Sequence, residues 1–147
     1  MPERTDISKI LILVGIALFV PSAARANSCG PPKRISVPRA CGKVLDSAGN
    51  PIANLEVGLV STTGQSMANT STDGSGDFSF LQVKPGSYNL YSKSEPWDDI
   101  RWPVKFSKGK GNKCDHPLYV VLSPKSGWAC TSWVVKKKPD LKPTTDH

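Results

Sequence analysis

Histidines are the first residues to consider for catalysis or metal binding, and this chain has two of them. His116 is followed by Pro117, and His147 is the last residue. A Ser-His-Asp or Cys-His arrangement could therefore use only His116, and no second histidine stands near it in the sequence to share a metal ion. We expect no catalytic residue, no metal site and no cofactor.

Oxygen-bearing side chains at alternate positions suggest a calcium loop at one place in the chain. Asp73, Ser75 and Asp77 have the spacing at which oxygen atoms converge on one ion. However, Phe78 stands where such a loop needs glycine, and Lys84 stands where a bidentate glutamate should complete the shell. Asp-Gly and Ser-Gly pairs also form turns in their own right. We interpret this segment as the turn of a hairpin.

Aromatic side chains are the best candidates for a binding surface, because flat rings with polar neighbours stack on sugars or peptides. The candidates are Trp97, Trp102, Trp128, Trp133, Tyr91 and Tyr119. Trp102 and Trp133 fall in predicted strands, which favours core packing for them. Trp97 falls in a predicted loop, and loops often carry function. We expect ligand contacts at Trp97, Trp128 and Tyr91.

Lysines form two groups in a chain whose formal net charge is +7. Lys105, Lys108, Lys110 and Lys113 surround a glycine-broken loop, and Lys136, Lys137, Lys138 and Lys142 lie near the C-terminus. Together they could form a basic face for an anionic partner such as a lipid head group or a cell-wall polymer, although a solvated surface is more common. Aromatic residues are not interleaved with them in a nucleic-acid-binding pattern, so we expect no nucleic-acid partner.

The first 26 residues have the organisation of a signal peptide. Ile10 to Val20 is an unbroken apolar run of eleven residues, about half the ~20 that a spanning helix needs. Small residues at Ala24 and Ala26 predict cleavage before Asn27, and thus a secreted or periplasmic protein with no stable membrane span. The charged side chains before the run sum to zero, so an uncleaved anchor remains an alternative, and lipidation at Cys29 is a weaker one.

Export implies that the cysteines are oxidised rather than metal-bound or nucleophilic. They are Cys29, Cys41, Cys114 and Cys130, and no two lie two to four residues apart, as zinc sites require. Four cysteines permit three pairings, among which the sequence does not choose. We favour Cys114 with Cys130 across a hairpin, which leaves Cys29 with Cys41.

Short runs of β-branched and aromatic residues, separated by turn-forming residues at intervals of about ten, predict an all-β sandwich of about seven to eight strands. The predicted strands are Gly42–Asp46, Leu55–Ser61, Met67–Thr72, Asp77–Leu81, Ser87–Lys93, Trp102–Phe106, Pro117–Leu122 and Ala129–Val135. We expect one domain over residues 40–135, preceded by an extended arm over 27–39 and followed by a basic, disordered tail over 136–147.

Two stretches of this domain match a known pattern. The stretch GKVLDSAGNPIANLEVGLVSTTG, residues 42–64, and the stretch TSTDGSGDFSFLQVKPGSYNLYS, residues 70–92, resemble the carboxypeptidase regulatory-like domain. Pro51 presets an extended backbone, Gly76 permits a tight turn, and Phe78 and Tyr88 are placed to fill a core from different strands. The resemblance implies a transthyretin-like, or prealbumin-like, β-sandwich, similar in fold to Cna B-type and starch-binding-like modules.

The resemblance also implies an accessory role rather than catalysis. Carboxypeptidases that carry such a module bind zinc through a His-x-x-Glu pair, which His116 does not form. Cna B-type domains can form a covalent isopeptide bond between a lysine and an asparagine, with a buried acid as catalyst. Lys43 and Glu56 lie on early predicted strands, but Leu118–Leu122 contains no asparagine partner. We therefore interpret Lys43 as a solvent-facing residue.

We therefore expect an exported, non-catalytic module with a binding or structural role, whose partner is a cell-envelope polymer, a glycan or a protein. A carbohydrate-binding module that uses exposed tryptophans is the first alternative. A small hydrolase is the second, and it would have to use His116.

Overall fold

The strands form where β-branched and aromatic residues alternate with polar ones, so that one side of each strand can be buried. The computed structural model describes residues 31–108, 113–125 and 132–141, and in this part the regular structure consists of nine strands. They are β1 Ile35–Val37, β2 Cys41–Asp46, β3 Glu56–Ser61, β4 Ser66–Ser71, β5 Asp77–Ser79, β6 Gly86–Ser92, β7 Ile100–Phe106, β8 Leu118–Leu122 and β9 Trp133–Val135.

These strands build two sheets. One has five strands in the order β1-β7-β6-β3-β4, and the other has four in the order β5-β2-β8-β9. β1 pairs with β7 and β2 pairs with β8 in parallel, whereas the other pairs are antiparallel. The prediction of an all-β sandwich is confirmed.

The core consists of the side chains that the two sheets turn toward each other. In the five-stranded sheet, Leu59, Leu90 and Val104 are fully buried, and in the four-stranded sheet Val44 and Leu118 are equally inaccessible. Side chains alternate along a strand, so burial of Tyr88, Leu90 and Ser92 in β6 turns the residues between them to the outer face of their sheet. The candidate site described below lies on that outer face.

All eight predicted strands are present, with bounds that shift by a few residues, and one strand was missed. β1, Ile35–Val37, lies inside the segment that we predicted as an extended arm. It pairs in parallel with β7, with Ile35 opposite Val104. Parallel pairing between distant segments leaves no hairpin turn in the sequence, and the nearby prolines argue against a strand. The pattern of this segment therefore gave no warning of it.

The predicted signal peptide, residues 1–26, lies outside the described residues. Within them, the structure contains no helix whose length and apolar character would let it cross a membrane. Residues 136–141 of the predicted tail follow β9 without regular structure, and the side chain of Leu141 lies beside the turn at Gly49.

The disulfide pairing that we favoured is wrong. Cys41 is bonded to Cys114, with 6.1 Å between their Cα atoms, so Cys114 does not pair with Cys130 and Cys41 does not pair with Cys29. The physical reason is the parallel pairing of β2 with β8, which sets Gly42 opposite Leu118 and brings the start of β2 beside the chain that leads into β8. Cys29 and Cys130 lie outside the described residues.

Peptide mapping of the protein under non-reducing conditions tests this pairing. We expect one cross-linked peptide that joins Cys41 to Cys114 and, by elimination, a second that joins Cys29 to Cys130. Replacing both Cys41 and Cys114 with serine should lower the free energy of unfolding by about 2–4 kcal/mol, because the bond closes a long loop. A peptide that joins Cys114 to Cys130 would contradict the pairing.

Candidate ligand-binding site

Trp97, which we expected to contact a ligand, holds its loop to the body of the domain. It is half-buried and packs against the core, and its backbone N–H donates a hydrogen bond of 2.9 Å to the carbonyl of Ser94. Trp97 also forms a β-bridge with Pro124, in the segment after β8. Part of this indole is therefore engaged in packing, and the role of Trp97 as a ligand contact stays a prediction.

Further contacts tie the same loop to the segment after β8. The Asp98 N–H donates to the Ser123 carbonyl at 2.9 Å, and the Lys125 N–H donates to the Pro96 carbonyl at 2.8 Å. The Lys125 ammonium also donates to the Glu95 carboxylate, and this hydrogen bond raises the pKa of Lys125. The loop between β6 and β7 of the five-stranded sheet is thus hydrogen-bonded to the segment after β8 of the four-stranded sheet.

The other three tryptophans differ in their surroundings. Trp128 lies outside the described residues, so its role as a ligand contact stays a prediction. Trp102 packs against the core, as expected, and its indole N–H donates to the Lys33 carbonyl at 3.1 Å. Trp133 is half-buried on β9, where it pairs with Val121.

Tyr91 lies on the outer face of the five-stranded sheet, where three strands meet. Its register partners are Gly58 on β3 and Arg101 on β7, and Gly58 in turn pairs with Asn69 on β4. The Tyr91 hydroxyl donates a hydrogen bond of 2.9 Å to the Asn69 side-chain oxygen. The side chain thus reaches across the sheet toward β4 and is fixed at its tip.

The ring of Tyr91 covers the backbone of Gly58. A Cβ atom built on Gly58 would lie 2.2 Å from the ring carbon Cε1, closer than two non-bonded carbon atoms approach. Glycine is therefore the residue that lets the ring come down onto the sheet, in a position that its hydrogen bond to Asn69 maintains. The result is an aromatic platform, which we define as Tyr91, Gly58 and Asn69.

A cavity of about 380 Å³ opens beside this platform. The side chains that give it chemical character are Val60, Tyr91, Lys93, Asp99 and Arg101. Lys93 and Arg101 are exposed cations, and the Asp99 carboxylate lies 3.8 Å from the Lys125 ammonium. The arrangement can offer a ring for stacking and two positive groups for an acidic or hydroxylated ligand.

Where the structure describes them, the two lysine groups belong to different sheets, and a joint basic face stays a prediction. Lys105 is exposed on β7, on the same outer face as Tyr91, while Lys136, Lys137 and Lys138 follow β9 in the other sheet. Lys110 and Lys142 lie outside the described residues. The cations that line the cavity beside the platform are Lys93 and Arg101. The sequence analysis singled out neither of them.

The structure explains the other chemical candidates by local contacts. The Asp73 carboxylate accepts hydrogen bonds from the backbone N–H groups of Ser75 and Asp77, at 2.8 and 3.0 Å, which confirms a turn. The interpretation as a hairpin is wrong, because β4 and β5 on either side of this turn belong to different sheets. The Lys43 ammonium lies 3.1 Å from the Asp77 carboxylate, on the opposite sheet from Glu56. In the part of the chain that the structure describes, no three His, Cys, Asp or Glu side chains are grouped to hold a metal ion.

By its fold, the described part of the chain is a two-sheet, all-β sandwich with a surface platform. Residues 41–99 match the family model of the carboxypeptidase regulatory-like domain, which confirms the resemblance seen in the sequence. The match runs from β2 through the loop that carries Trp97, and β7, β8 and β9 follow it.

Among solved structures, the chain is similar to 5-hydroxyisourate hydrolase from Klebsiella pneumoniae, with 15% sequence identity and a TM-score of 0.48. The alignment covers 70% of this chain and 95% of the hydrolase chain. At this distance the likeness says nothing about activity. No match was found among curated proteins.

Two glycine substitutions test how the platform is built. Gly58→Ala should lower the free energy of unfolding by about 1 kcal/mol, because the Tyr91 ring and the Asn69 side chain can swing away from the new methyl group. Gly42→Ala is the matched comparison and should cost about 3 kcal/mol, since its methyl group would meet the Leu118 carbonyl oxygen of the backbone at 2.4 Å.

Denaturant unfolding of the two variants measures both costs. Adding Tyr91→Ala should remove most of the cost of Gly58→Ala and leave that of Gly42→Ala unchanged. An equal cost of Gly58→Ala with and without the tyrosine would contradict the contact.

Proposed function

We propose that this chain is an exported, non-catalytic binding module whose ligand contacts lie on the outer face of the five-stranded sheet. The observation that carries the proposal is the Tyr91 ring, which lies over Gly58 beside a cavity with two exposed cations, Lys93 and Arg101. An aromatic ring held on an open sheet face is available to a ligand, whereas the ring of Trp97 is engaged by the core.

The non-catalytic part of the proposal draws support from the family match and from the site itself. Residues 41–99 match a regulatory-like domain. His116, the residue that a hydrolase would have to use, is exposed in the segment just before β8 and belongs to the four-stranded side of the sandwich. Among the described residues around the Tyr91 cavity there is no histidine and no cysteine, so none of them forms a nucleophile–histidine pair.

The exported part of the proposal draws support from the signal-peptide pattern of residues 1–26 and from the disulfide. A bond between Cys41 and Cys114 is stable in oxidising compartments and is reduced in the cytosol. Its position at the start of β2, beside the chain that enters β8, makes it part of the fold, as in other exported domains of modest size.

Intact-mass measurement tests export. The protein recovered from the medium or the periplasm should begin at Asn27 and should gain the mass of four hydrogens when it is reduced, as two disulfides require. A product that retains residues 1–26, or that has the same mass before and after reduction, would contradict this part of the proposal.

Co-sedimentation tests binding. The exported protein is mixed with insoluble envelope fragments of the cells that produce it, and the bound fraction is measured after centrifugation. Tyr91→Ala should reduce binding about tenfold, since it removes the ring while leaving the cations. Tyr119→Ala is the matched control on β8 of the other sheet and should bind like the wild type.

Circular dichroism and the melting temperature establish that both tyrosine variants are folded. No sedimentation of the wild-type protein, or equal sedimentation of a folded Tyr91→Ala variant, would refute the proposed surface. Treating the fragments with protease or with periodate beforehand shows whether the ligand is a protein or a glycan.

A further inference from the structure

We infer that the ligand of the Tyr91 surface is an acidic polysaccharide, one whose sugar ring stacks on Tyr91 and whose anionic group is bound by Arg101 and Lys93. This inference rests on the proposed function and adds the chemical class of the ligand. It differs from the sequence-based alternative of a tryptophan-based sugar site, because the stacking residue is a tyrosine on a strand.

The first argument is the orientation of the ring. Tyr91 covers Gly58 with one side, and its hydroxyl is held by Asn69, so the ring is fixed before any ligand arrives. A fixed ring loses little conformational freedom on binding, which favours affinity. The apolar face of a pyranose ring stacks on a flat aromatic of this kind, as flat amphipathic groups do in general.

The second argument is charge. Arg101 is the register partner of Tyr91 on the neighbouring strand and is exposed. Lys93 lies just past the end of β6, is also exposed, and lines the same cavity as Tyr91 and Arg101. A guanidinium binds a carboxylate with two parallel hydrogen bonds, which gives direction as well as attraction. Lys105 adds a third cation on the same strand as Arg101, two outward positions away.

The acidic residues nearby do not cancel this charge. Glu56 is exposed on β3 of the same sheet, and Asp99 lines the cavity. The Asp99 carboxylate lies 3.8 Å from the Lys125 ammonium, which neutralises part of its field. Glu95 and Asp98 of the same loop also act on Lys125, and Glu95 binds its ammonium group directly. Among the residues that line the cavity, Lys93 and Arg101 stand against the single carboxylate of Asp99.

The third argument is shape. The row Asn69, Gly58, Tyr91, Arg101 crosses four neighbouring strands, a width of about 14 Å from three strand spacings. The cavity beside it, about 380 Å³, is open to the sheet surface and is flanked by Val60. An open row of this length suits several units of a chain polymer better than one enclosed small molecule.

The experiment measures affinity by isothermal titration calorimetry on the exported protein with three probes. Polygalacturonate supplies sugar rings with carboxylates, soluble dextran supplies neutral rings, and polyphosphate supplies negative charge without rings. We expect polygalacturonate to bind at least about tenfold more tightly than either of the other two, since only it engages both the ring and the cations.

Variants separate the two contacts. Tyr91→Ala and Arg101→Ala should each weaken binding of polygalacturonate about tenfold. Tyr91→Phe should retain binding to within about threefold, because it keeps the ring and loses only the hydroxyl. Lys84→Ala is the control for Arg101→Ala, as Lys84 is also exposed and lies in the turn before β6, away from the cavity.

Three results would overturn the inference. Dextran that binds as tightly as polygalacturonate would show that the anionic group is not recognised. Polyphosphate that binds as tightly, with no effect of Tyr91→Ala, would show charge attraction without stacking. Failure of all three probes to bind, while the protein still sediments with envelope fragments through Tyr91, would refute an acidic glycan and leave the proposed binding surface standing.

Discussion

Leu59, Leu90 and Trp102 lie side by side on β3, β6 and β7, on the face that is turned toward the second sheet. Leu59 and Leu90 are fully buried. Because side chains alternate along a strand, a shift of one residue in this pairing would expose these apolar side chains to water. The same shift would bury the polar side chains of the outer face, and the loss of apolar burial makes it unfavourable. The register that the core fixes is therefore also the register that lines up Gly58, Tyr91 and Arg101 on the outer face.

The parallel pairing of β2 with β8 has a comparable influence on the rest of the chain. It places β8 in the centre of the second sheet, so that residues after the family-matched segment complete the core of that segment. Leu118 and Leu122 of β8 are as inaccessible as Val44 of β2. The Cys41–Cys114 bond then closes the end of this pair, and the loop of Trp97 is held by backbone hydrogen bonds at the other end of β8.

The sequence predicted what depends on local pattern. Strands with clear alternation, such as β6, form as expected, and so does the turn at Asp73. That turn passes from one sheet to the other instead of closing a hairpin, because the sheet to which a strand belongs is not a local property. β1 and the disulfide depend instead on parallel contacts between distant segments, for which the chain carries no local signal.

The candidate site shows the same division. Tyr91 could be selected from its residue type and from a strand pattern that is polar on one side. Arg101, Gly58 and Asn69 could not be joined to it, because they come from three other strands whose order and register are set by the whole sandwich. A glycine opposite an aromatic residue on a neighbouring strand is a usable signal, but only once the register is known.

The contrast between Trp97 and Tyr91 follows from how each side chain is surrounded. The Trp97 loop joins β6 to β7 and is hydrogen-bonded to the segment after β8, so its tryptophan lies near the core. Burying this large ring stabilises the loop more than exposure would. On the outer face of a sheet nothing lies above the strands, so an aromatic ring there can be covered on one side only, by the strand next to it. Gly58 provides that cover for Tyr91. The Tyr91 ring rests on Gly58, its hydroxyl is bound by Asn69, and Lys93 and Arg101 lie beside it. Such a ring can bind a partner without any rearrangement of a loop, so the outer face of the sheet is better suited to binding than the loops are.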